Sequence, residues 1–298
     1  MDPFGAEGEL VNIHTAFVQG QYQSVLSDYE PSSFSDSNKL PIQVLQYRAQ
    51  LALGQHSEVL KAIPASAAKQ NPDLAAVRTL ATYLSKPSES VVTEAESLSE
   101  SAGDNLSVQL LCGTVLARAG KQEQAIQLLF KHQGSLDAVA MIVQIHLSQN
   151  RTDLALKEAK SARSFAQDAL LVNLAESWIG MRQGGENYQK AFYVFEELAQ
   201  APSSAAATSL VAQAVSELHM GRVEEAETAL NQALTLEPEN SAAIANKLVL
   251  DTIAGRDTQE LRTKLESLEK EHEMLVDLQA KREAFQAATQ KYTPKFAD

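Results

Sequence analysis

The stretch ATSLVAQAVSELHMGRVEEAETALNQALTLEPEN, residues 207–240, decides the fold class. Two apolar-patterned runs flank Gly221, a residue that accepts a positive φ in a tight turn without a Cβ clash. Ala226 is small where two antiparallel helices would cross, and Ala233 is small on the side of the next hairpin. Pro238 ends the second run because its ring fixes φ and removes a backbone donor. The stretch therefore predicts a helical hairpin.

Turn residues recur at the same interval along the chain. Gly255 follows Gly221 by 34 residues (255 − 221), and Gly54 follows Gly20 by the same number (54 − 20). A degenerate unit, YLSKPSESVVTEAESL, fills the interval around residue 86. Such a ladder resembles the tetratricopeptide repeat, a 34-residue helix–turn–helix unit, and predicts about eight stacked hairpins. Further turn residues and the small residues after them are Gly120, Asn150, Gly184 and Gly185, with Ala125, Ala155, Ala191 and Ala226. The gaps between these alanines are 30, 36 and 35 residues, so the register slips: one unit is short and the double glycine is an insertion.

The composition fits a stack of helices. The chain has 298 residues, of which 44% are hydrophobic and only 6% aromatic. Because no clear alternating run of β-branched residues occurs, the fold class is predicted to be all-α. We expect residues 1–257 to form a tetratricopeptide-like solenoid, interrupted by the Pro- and Ser-containing stretch 199–207. Residues 258–298 are expected to form charged capping helices of the same structural unit.

Charge and cysteine content limit the kinds of partner and the cellular compartment that fit this chain. A net charge of −13 opposes unaided binding to nucleic acid or to anionic lipid, and its simplest role is solubility. The single cysteine, Cys112, excludes an intrachain disulfide. The acidic start MDPFGAEGELVNIH lacks the layout of a signal peptide, and no apolar run reaches the length of a membrane span. A cytoplasmic protein without membrane insertion is expected.

No catalytic or metal-binding pattern emerges from the sequence. Phosphate-binding, dinucleotide-binding, zinc-protease and serine-hydrolase motifs are all absent. His272 lies between Glu271 and Glu273, but neighbours on a helix point in different directions and do not form a metal site. Cys112 sits in the apolar run LLCGTVLARAG and is interpreted as a buried structural thiol. We expect neither an enzyme nor a cofactor.

Three valines are the candidate partner-binding residues. Val211, Val215 and Val249 occupy positions on first helices of hairpins that usually face the concave groove of a tetratricopeptide stack. Apolar residues there would line the groove for an apolar partner segment. A register shift of one residue would instead return these valines to the core.

Several stretches are similar to the epsilon subunit family of coatomer, the coat complex of Golgi-derived vesicles. The resemblance extends over almost the whole chain in order, and its most specific part lies in 178–199. The matching stretches are AFVQGQYQSVL (16–26), LQYRAQLALGQHSEVLKAI (45–63), AVAMIVQIHLSQNRTDLALKEAK (138–160), WIGMRQGGENYQKAFYVFEELA (178–199), GRVEEAETALNQAL (221–234) and QKYTP (290–294).

The resemblance implies a fold and a role. The fold is an all-helical, strongly curved repeat solenoid, and the role is non-enzymatic. The family resemblance implies binding to the C-terminal region of the alpha subunit and indirect contact with other coat subunits, in retrograde Golgi-to-endoplasmic-reticulum and intra-Golgi transport. A cytoplasmic protein, peripheral on Golgi and coated-vesicle membranes through the coat, is the implied location.

A different binding module is the alternative interpretation. Tetratricopeptide adaptors and co-chaperones capture short acidic peptides with basic groove residues that clamp carboxylates. Arg48 and Arg118 are the candidate clamp residues in this chain. The scarcity of bases and the presence of several valines at groove positions argue against this alternative.

Overall fold

A computed structural model describes residues 8–200 and 206–292 of the chain. Within these ranges the regular structure consists of helices joined by turns, without a β-strand, as the all-α prediction requires. The α-helices are α1 (Val11–Val18), α2 (Tyr22–Ser27), α3 (Asp36–Ala52), α4 (His56–Ala62), α5 (Ala65–Ala68), α6 (Pro72–Ser85), α7 (Glu89–Ser101), α8 (Leu106–Arg118), α9 (Gln122–Leu129), α10 (Leu136–Ser148), α11 (Thr152–Phe165), α12 (Leu170–Gln183), α13 (Asn187–Gln200), α14 (Ala207–His219), α15 (Val223–Leu236), α16 (Ser241–Ile253), α17 (Gln259–Leu268) and α18 (Glu273–Lys291).

Eight helical hairpins follow one another along the described chain. They are α1/α2, α3/α4, α6/α7, α8/α9, α10/α11, α12/α13, α14/α15 and α16/α17. The pair α6/α7 is the degenerate unit around residue 86, and it forms a hairpin although no glycine lies in its turn. The predicted hairpin of 207–236 is present as α14 and α15, with Pro238 two residues past the end of α15.

Left-handed turn residues close most of the hairpins. Gly221 has a φ of 78° between α14 and α15, and the other glycines of the predicted ladder share this conformation. Asn150 takes the same position between α10 and α11 with a φ of 58°. Asparagine tolerates this region better than other residues with a Cβ, since its short polar side chain can bond locally. The ladder read from the sequence is therefore a ladder of left-handed turns.

Small residues allow the two helices of each hairpin to approach closely. Ala125, Ala155, Ala191 and Ala226 each come shortly after a turn, and none is more than 1% exposed. A larger side chain at these crossings would force the helices apart or distort neighbouring rotamers, which typically costs about 1–3 kcal/mol. The alanines thus set the spacing of the stack.

The chain divides into two compact units near residue 200. Unit 1 comprises the described residues up to Leu198, and unit 2 comprises Ala199, Gln200 and the described residues from 206 onward. This division coincides with the stretch 199–207 that the sequence marks as an interruption, of which 201–205 lie outside the described residues. Each unit contains its own apolar clusters.

Unit 2 contains the last two hairpins and α18. The expected boundary at 257/258 falls in the turn between α16 and α17, so α17 is the second helix of the eighth hairpin. Leu265 is fully buried there, whereas Leu268 is 39% exposed. In α18 the buried residue is Leu275, in the first turn. The capping role of residues 258–298 stays a prediction.

None of the described helices is both long enough and apolar enough to span a membrane.

Candidate protein-interaction site

A groove crosses the first helices of hairpins two, three and four in unit 1. We call it the α3/α8 groove; its cavity volume is about 210 Å³. Leu40 and Val44 of α3 form one wall, and Leu106 and Leu110 of α8 form the other. An open groove with these walls suits a partner segment that presents apolar side chains.

Polar side chains enter the same groove at the helix starts. Asn105 caps α8, since its Oδ1 accepts from the backbone N–H of Val108 at 3.0 Å. Beside this cap the hydroxyl of Ser107 donates to Oδ1 of Asp73, at 2.6 Å, and so links the first turns of α8 and α6. The groove therefore combines apolar walls with polar groups that can orient a bound segment.

Arg48 lines the α3/α8 groove, but its charge is already engaged. Its Nη2 donates to Oδ1 of Asp137 at 3.0 Å, and its guanidinium lies over the ring of Phe17, 4.5 Å from the centroid. The side chain is only 18% exposed. Arg48 therefore stabilises the packing of α1, α3 and α10, and it is not a free clamp for the carboxylates of an acidic peptide.

Asp137 has a second partner from the start of the chain. Nε2 of His14, on α1, donates to the other carboxylate oxygen at 2.7 Å, and both side chains are buried. Burial alone would raise the pKa of Asp137. The hydrogen bond from His14 and the charge of Arg48 outweigh burial and hold the pKa of this carboxyl well below its usual range. A charged Asp137 thus joins hairpins one, two and five.

The position of Asp137 in the sequence does not reveal this role. It lies in the first turn of α10, after the N-cap Ser135, where acidic residues are favoured by the helix dipole in any case. His14 is 123 residues away and Arg48 is 89 residues away. Sequence reasoning missed the cluster because no local pattern connects these three positions.

Arg118, the second candidate clamp, lies elsewhere on unit 1. It is exposed in the last turn of α8, where a cation complements the negative end of the helix dipole. It forms no ion pair with the part of the chain that the structure describes. Since the α3/α8 groove contains residues from the first half of α8 only, Arg118 does not line it.

The three candidate valines occupy different environments in unit 2. Val211 is 8% exposed and belongs to the core cluster. It therefore occupies the core position that a register shift of one residue would give. Val215 is half-buried and packs against that cluster. Val249 is 39% exposed, and Ile253, one turn later on α16, is 63% exposed. Val249 with Ile253 is therefore the accessible apolar part of this surface.

Val215 and Val249 have equivalent positions in successive hairpins. Each is the ninth residue of the first helix, because α14 begins at Ala207 and α16 at Ser241. Their separation is 34 residues, as the repeat length predicts. A role of these valines in partner binding stays a prediction.

The remaining candidate groups, Cys112 and His272, have structural roles. Cys112 is fully buried, and burial raises the pKa of its thiol to about 12, so that it stays a protonated, unreactive thiol at neutral pH. Nδ1 of His272 accepts from the backbone N–H of Met274 and caps α18. In the described ranges no group of three or more His, Cys, Asp or Glu side chains has the arrangement of a metal site.

Similarity to solved structures concerns the fold. The chain resembles a chain of the crystal structure of the APC/C hetero-tetramer Cut9–Hcn1, with a TM-score of 0.61 and 15% identity over 90% of this chain and 54% of that chain. It also resembles a tetratricopeptide repeat protein from Parabacteroides merdae, with a TM-score of 0.57 and 12% identity over 86% of this chain and 96% of that chain. These similarities confirm the helical-repeat fold.

Similarity to known sequences identifies the family. The family model described as "Coatomer epsilon subunit" matches residues 6–293. The chain is 29% identical to coatomer subunit epsilon-1 of Arabidopsis thaliana, over 95% of this chain and 97% of that protein. It is 31% identical to the probable coatomer subunit epsilon of Schizosaccharomyces pombe, over 84% of this chain and 82% of that protein. The chain therefore belongs to the coatomer epsilon subunit family, whose members are structural and non-enzymatic.

Proposed function

We propose that this chain is a structural subunit of the COPI vesicle coat that binds and stabilises the C-terminal region of the alpha subunit. Membership of the family supports the coat role, and the helical repeats supply surfaces for a neighbouring coat subunit. In this proposal the chain acts in retrograde Golgi-to-endoplasmic-reticulum and intra-Golgi transport. It reaches Golgi and vesicle membranes through the coat complex, as a cytoplasmic, peripheral component.

The α3/α8 groove is the observation that carries the proposal. Its walls are apolar, and its one arginine is neutralised by Asp137, so it favours an apolar segment over an acidic peptide. In unit 2, Val249 and Ile253 present a second accessible apolar surface. The alternative of an adaptor that clamps acidic peptides in the α3/α8 groove lacks a free cation there, since Arg48 is engaged by Asp137.

The experiment is co-expression of the full chain with the C-terminal region of the alpha subunit. A ligand that binds only the folded state stabilises it by mass action, by about 2.7 kcal/mol at a hundredfold excess over Kd. For a chain of this size we expect the melting temperature to rise by several degrees. An unchanged melting temperature at saturating partner would contradict the proposal.

A substitution in the α3/α8 groove tests whether this groove is the surface that binds the alpha subunit. Leu106→Asp places a carboxylate on a half-buried groove wall, where Leu106 also packs against the core cluster of unit 1. We expect weaker capture of the alpha-subunit fragment, measured well below the melting temperature of the variant, which circular dichroism establishes. Leu53→Asp is a matched control, because Leu53 is an exposed leucine that does not line the groove. Equal capture by both variants would exclude the groove as the binding surface.

A further inference from the structure

A second open cavity in unit 1 lies between α11, α12 and α13. We call it the basic cleft, and its volume is about 390 Å³. Lys160 and Arg163 of α11 line one side, and Lys190 of α13 lines the other. Its residues come from different helices than those of the α3/α8 groove, and no residue lines both. The two cavities are therefore separate surfaces.

The net charge of the residues that line the basic cleft is opposite in sign to the net charge of the whole chain. Three cations and one carboxylate, that of Glu176, line it, so its net charge is +2 (3 − 1) in a chain with a net charge of −13. Arg163 donates to Glu176, which neutralises that pair. Lys160 and Lys190 form no ion pair with any residue of the described chain. Two cations are thus available to an anionic ligand.

The floor and rim of the basic cleft add uncharged hydrogen-bond donors. Asn173 and Gln183 of α12 line it, and their side-chain amides have no hydrogen-bond partner within 8–200 and 206–292. Gly180 contributes no side chain to the floor and lets Asn187 of α13 approach closely, because a Cβ there would be 3.3 Å from its carbonyl oxygen. Ammonium and amide donors that line one cavity suit carboxylates that project from a narrow ligand.

We infer that the basic cleft binds an acidic, extended segment of a partner protein. A polypeptide with successive Asp or Glu side chains can place carboxylates beside Lys160 and Lys190 while its backbone meets the side-chain amides of Asn173 and Gln183. A membrane surface is a poorer fit, since it extends beyond the basic cleft and would meet the net negative charge of the chain, whereas a short segment meets the cleft alone. The same repulsion opposes nucleic acid.

Fluorescence anisotropy of the full chain with a labelled octaglutamate peptide tests this assignment. At an ionic strength of about 50 mM we expect saturable binding that weakens as salt is added, and no binding of octaglutamine. The double variant Lys160→Gln/Lys190→Gln should bind octaglutamate about tenfold more weakly, a loss typical of two partly exposed ion pairs. Circular dichroism would establish that this variant melts as the wild type does.

The matched control is Lys157→Gln/Lys264→Gln, which removes the same charge from two exposed lysines outside the cleft. Its affinity for octaglutamate should stay within about twofold of the wild type. Equal losses of octaglutamate affinity in the two double variants would overturn the assignment. The absence of any octaglutamate binding to the wild type at low salt would also overturn it. Binding of phosphatidylserine vesicles that depends on Lys160 and Lys190, without binding of the peptide, would replace the protein partner with a lipid surface. Capture of the alpha-subunit fragment is measured in parallel, because loss of cleft binding alone leaves the proposed coat role intact.

Discussion

Nε2 of His14 and Oδ2 of Asp137 lie 2.7 Å apart, although the two residues are 123 positions apart in the sequence. The other oxygen of Asp137 accepts from Arg48 at 3.0 Å. Most contacts in a helical-repeat protein join neighbouring repeats. This cluster joins the first two hairpins directly to the fifth, and α1 also contacts α12 of the sixth. The position of α1 therefore depends on polar side chains as well as on its apolar face.

Removal of the Asp137 carboxylate should destabilise the chain strongly. In Asp137→Ala, Arg48 and His14 stay largely buried without their acceptor, and we expect a loss on the order of 3 kcal/mol in the free energy of unfolding. Urea denaturation measures this loss as a lower midpoint. Asp153→Ala is the control, because Asp153 is exposed and its ion pair with Arg151 lies on the surface. A midpoint equal to that of the wild type for Asp137→Ala would show that the cluster contributes nothing.

The low pKa of Asp137 also predicts a pH dependence. A carboxyl whose pKa is lower in the folded than in the unfolded chain stabilises the fold above its unfolded value, about 3.9, and loses this contribution as the pH falls below it. The difference in unfolding free energy between the wild type and Asp137→Asn should therefore be smaller at pH 3 than at pH 5. Denaturation curves at both pH values measure it. An equal difference at both would contradict the lowered pKa.

The equivalent valines of unit 2 should respond differently to a charge. Val249→Asp adds a carboxylate at an accessible position, and we expect an unchanged melting curve with binding of the alpha-subunit fragment weakened by about 2–4 kcal/mol. Val215→Asp should lower the melting temperature of the isolated chain, since Val215 packs against the core. Circular dichroism and pull-down separate the two effects. Normal binding by Val249→Asp would place the partner away from this surface.

The single thiol should be inert in the folded chain. Cys112 is fully buried, and burial raises its pKa to about 12, so that very little thiolate exists at pH 8. We expect a disulfide reagent to modify it only as fast as the chain unfolds, and at once in denaturant. Absorbance of the released thiol follows the reaction. Rapid modification without denaturant would mean that α8 opens locally.

A left-handed turn can be tested by a substitution that creates no clash. A Cβ at Gly221 would have no atom within 4 Å, but the φ of 78° is unfavourable for alanine. Gly221→Ala should therefore cost about 1–2 kcal/mol through the backbone alone. Gly221→Asn should cost less, because asparagine holds this conformation at residue 150. Thermal denaturation ranks the variants, and equal melting temperatures for alanine and asparagine would refute the explanation.

The hairpins were predictable because their signals are local. A glycine before the second helix and an alanine a few residues after that glycine determine a turn and a crossing within about ten residues. The pairs Gly20/Gly54 and Gly221/Gly255 are 34 residues apart, and the alanines follow one another at 30, 36 and 35 residues (155 − 125, 191 − 155 and 226 − 191). The environment of Val211 was not predictable, because a rotation of one residue around α14 exchanges core and groove positions. Asp137 is the clearest case, since its partners lie in hairpins whose distance in space follows from the packing of unit 1 and not from any local pattern.

The contact between His14 and Asp137 has a consequence for the order in which the chain is made. His14 and Arg48 leave the ribosome 123 and 89 residues before Asp137. At about 5–20 residues per second, roughly 4–25 seconds of translation separate their appearance from that of the carboxylate. During this interval the first two hairpins can pack against each other, but Arg48 has no Asp137 to accept its hydrogen bond. The contacts of the first two hairpins with α10 therefore form only after α10 itself has been synthesised.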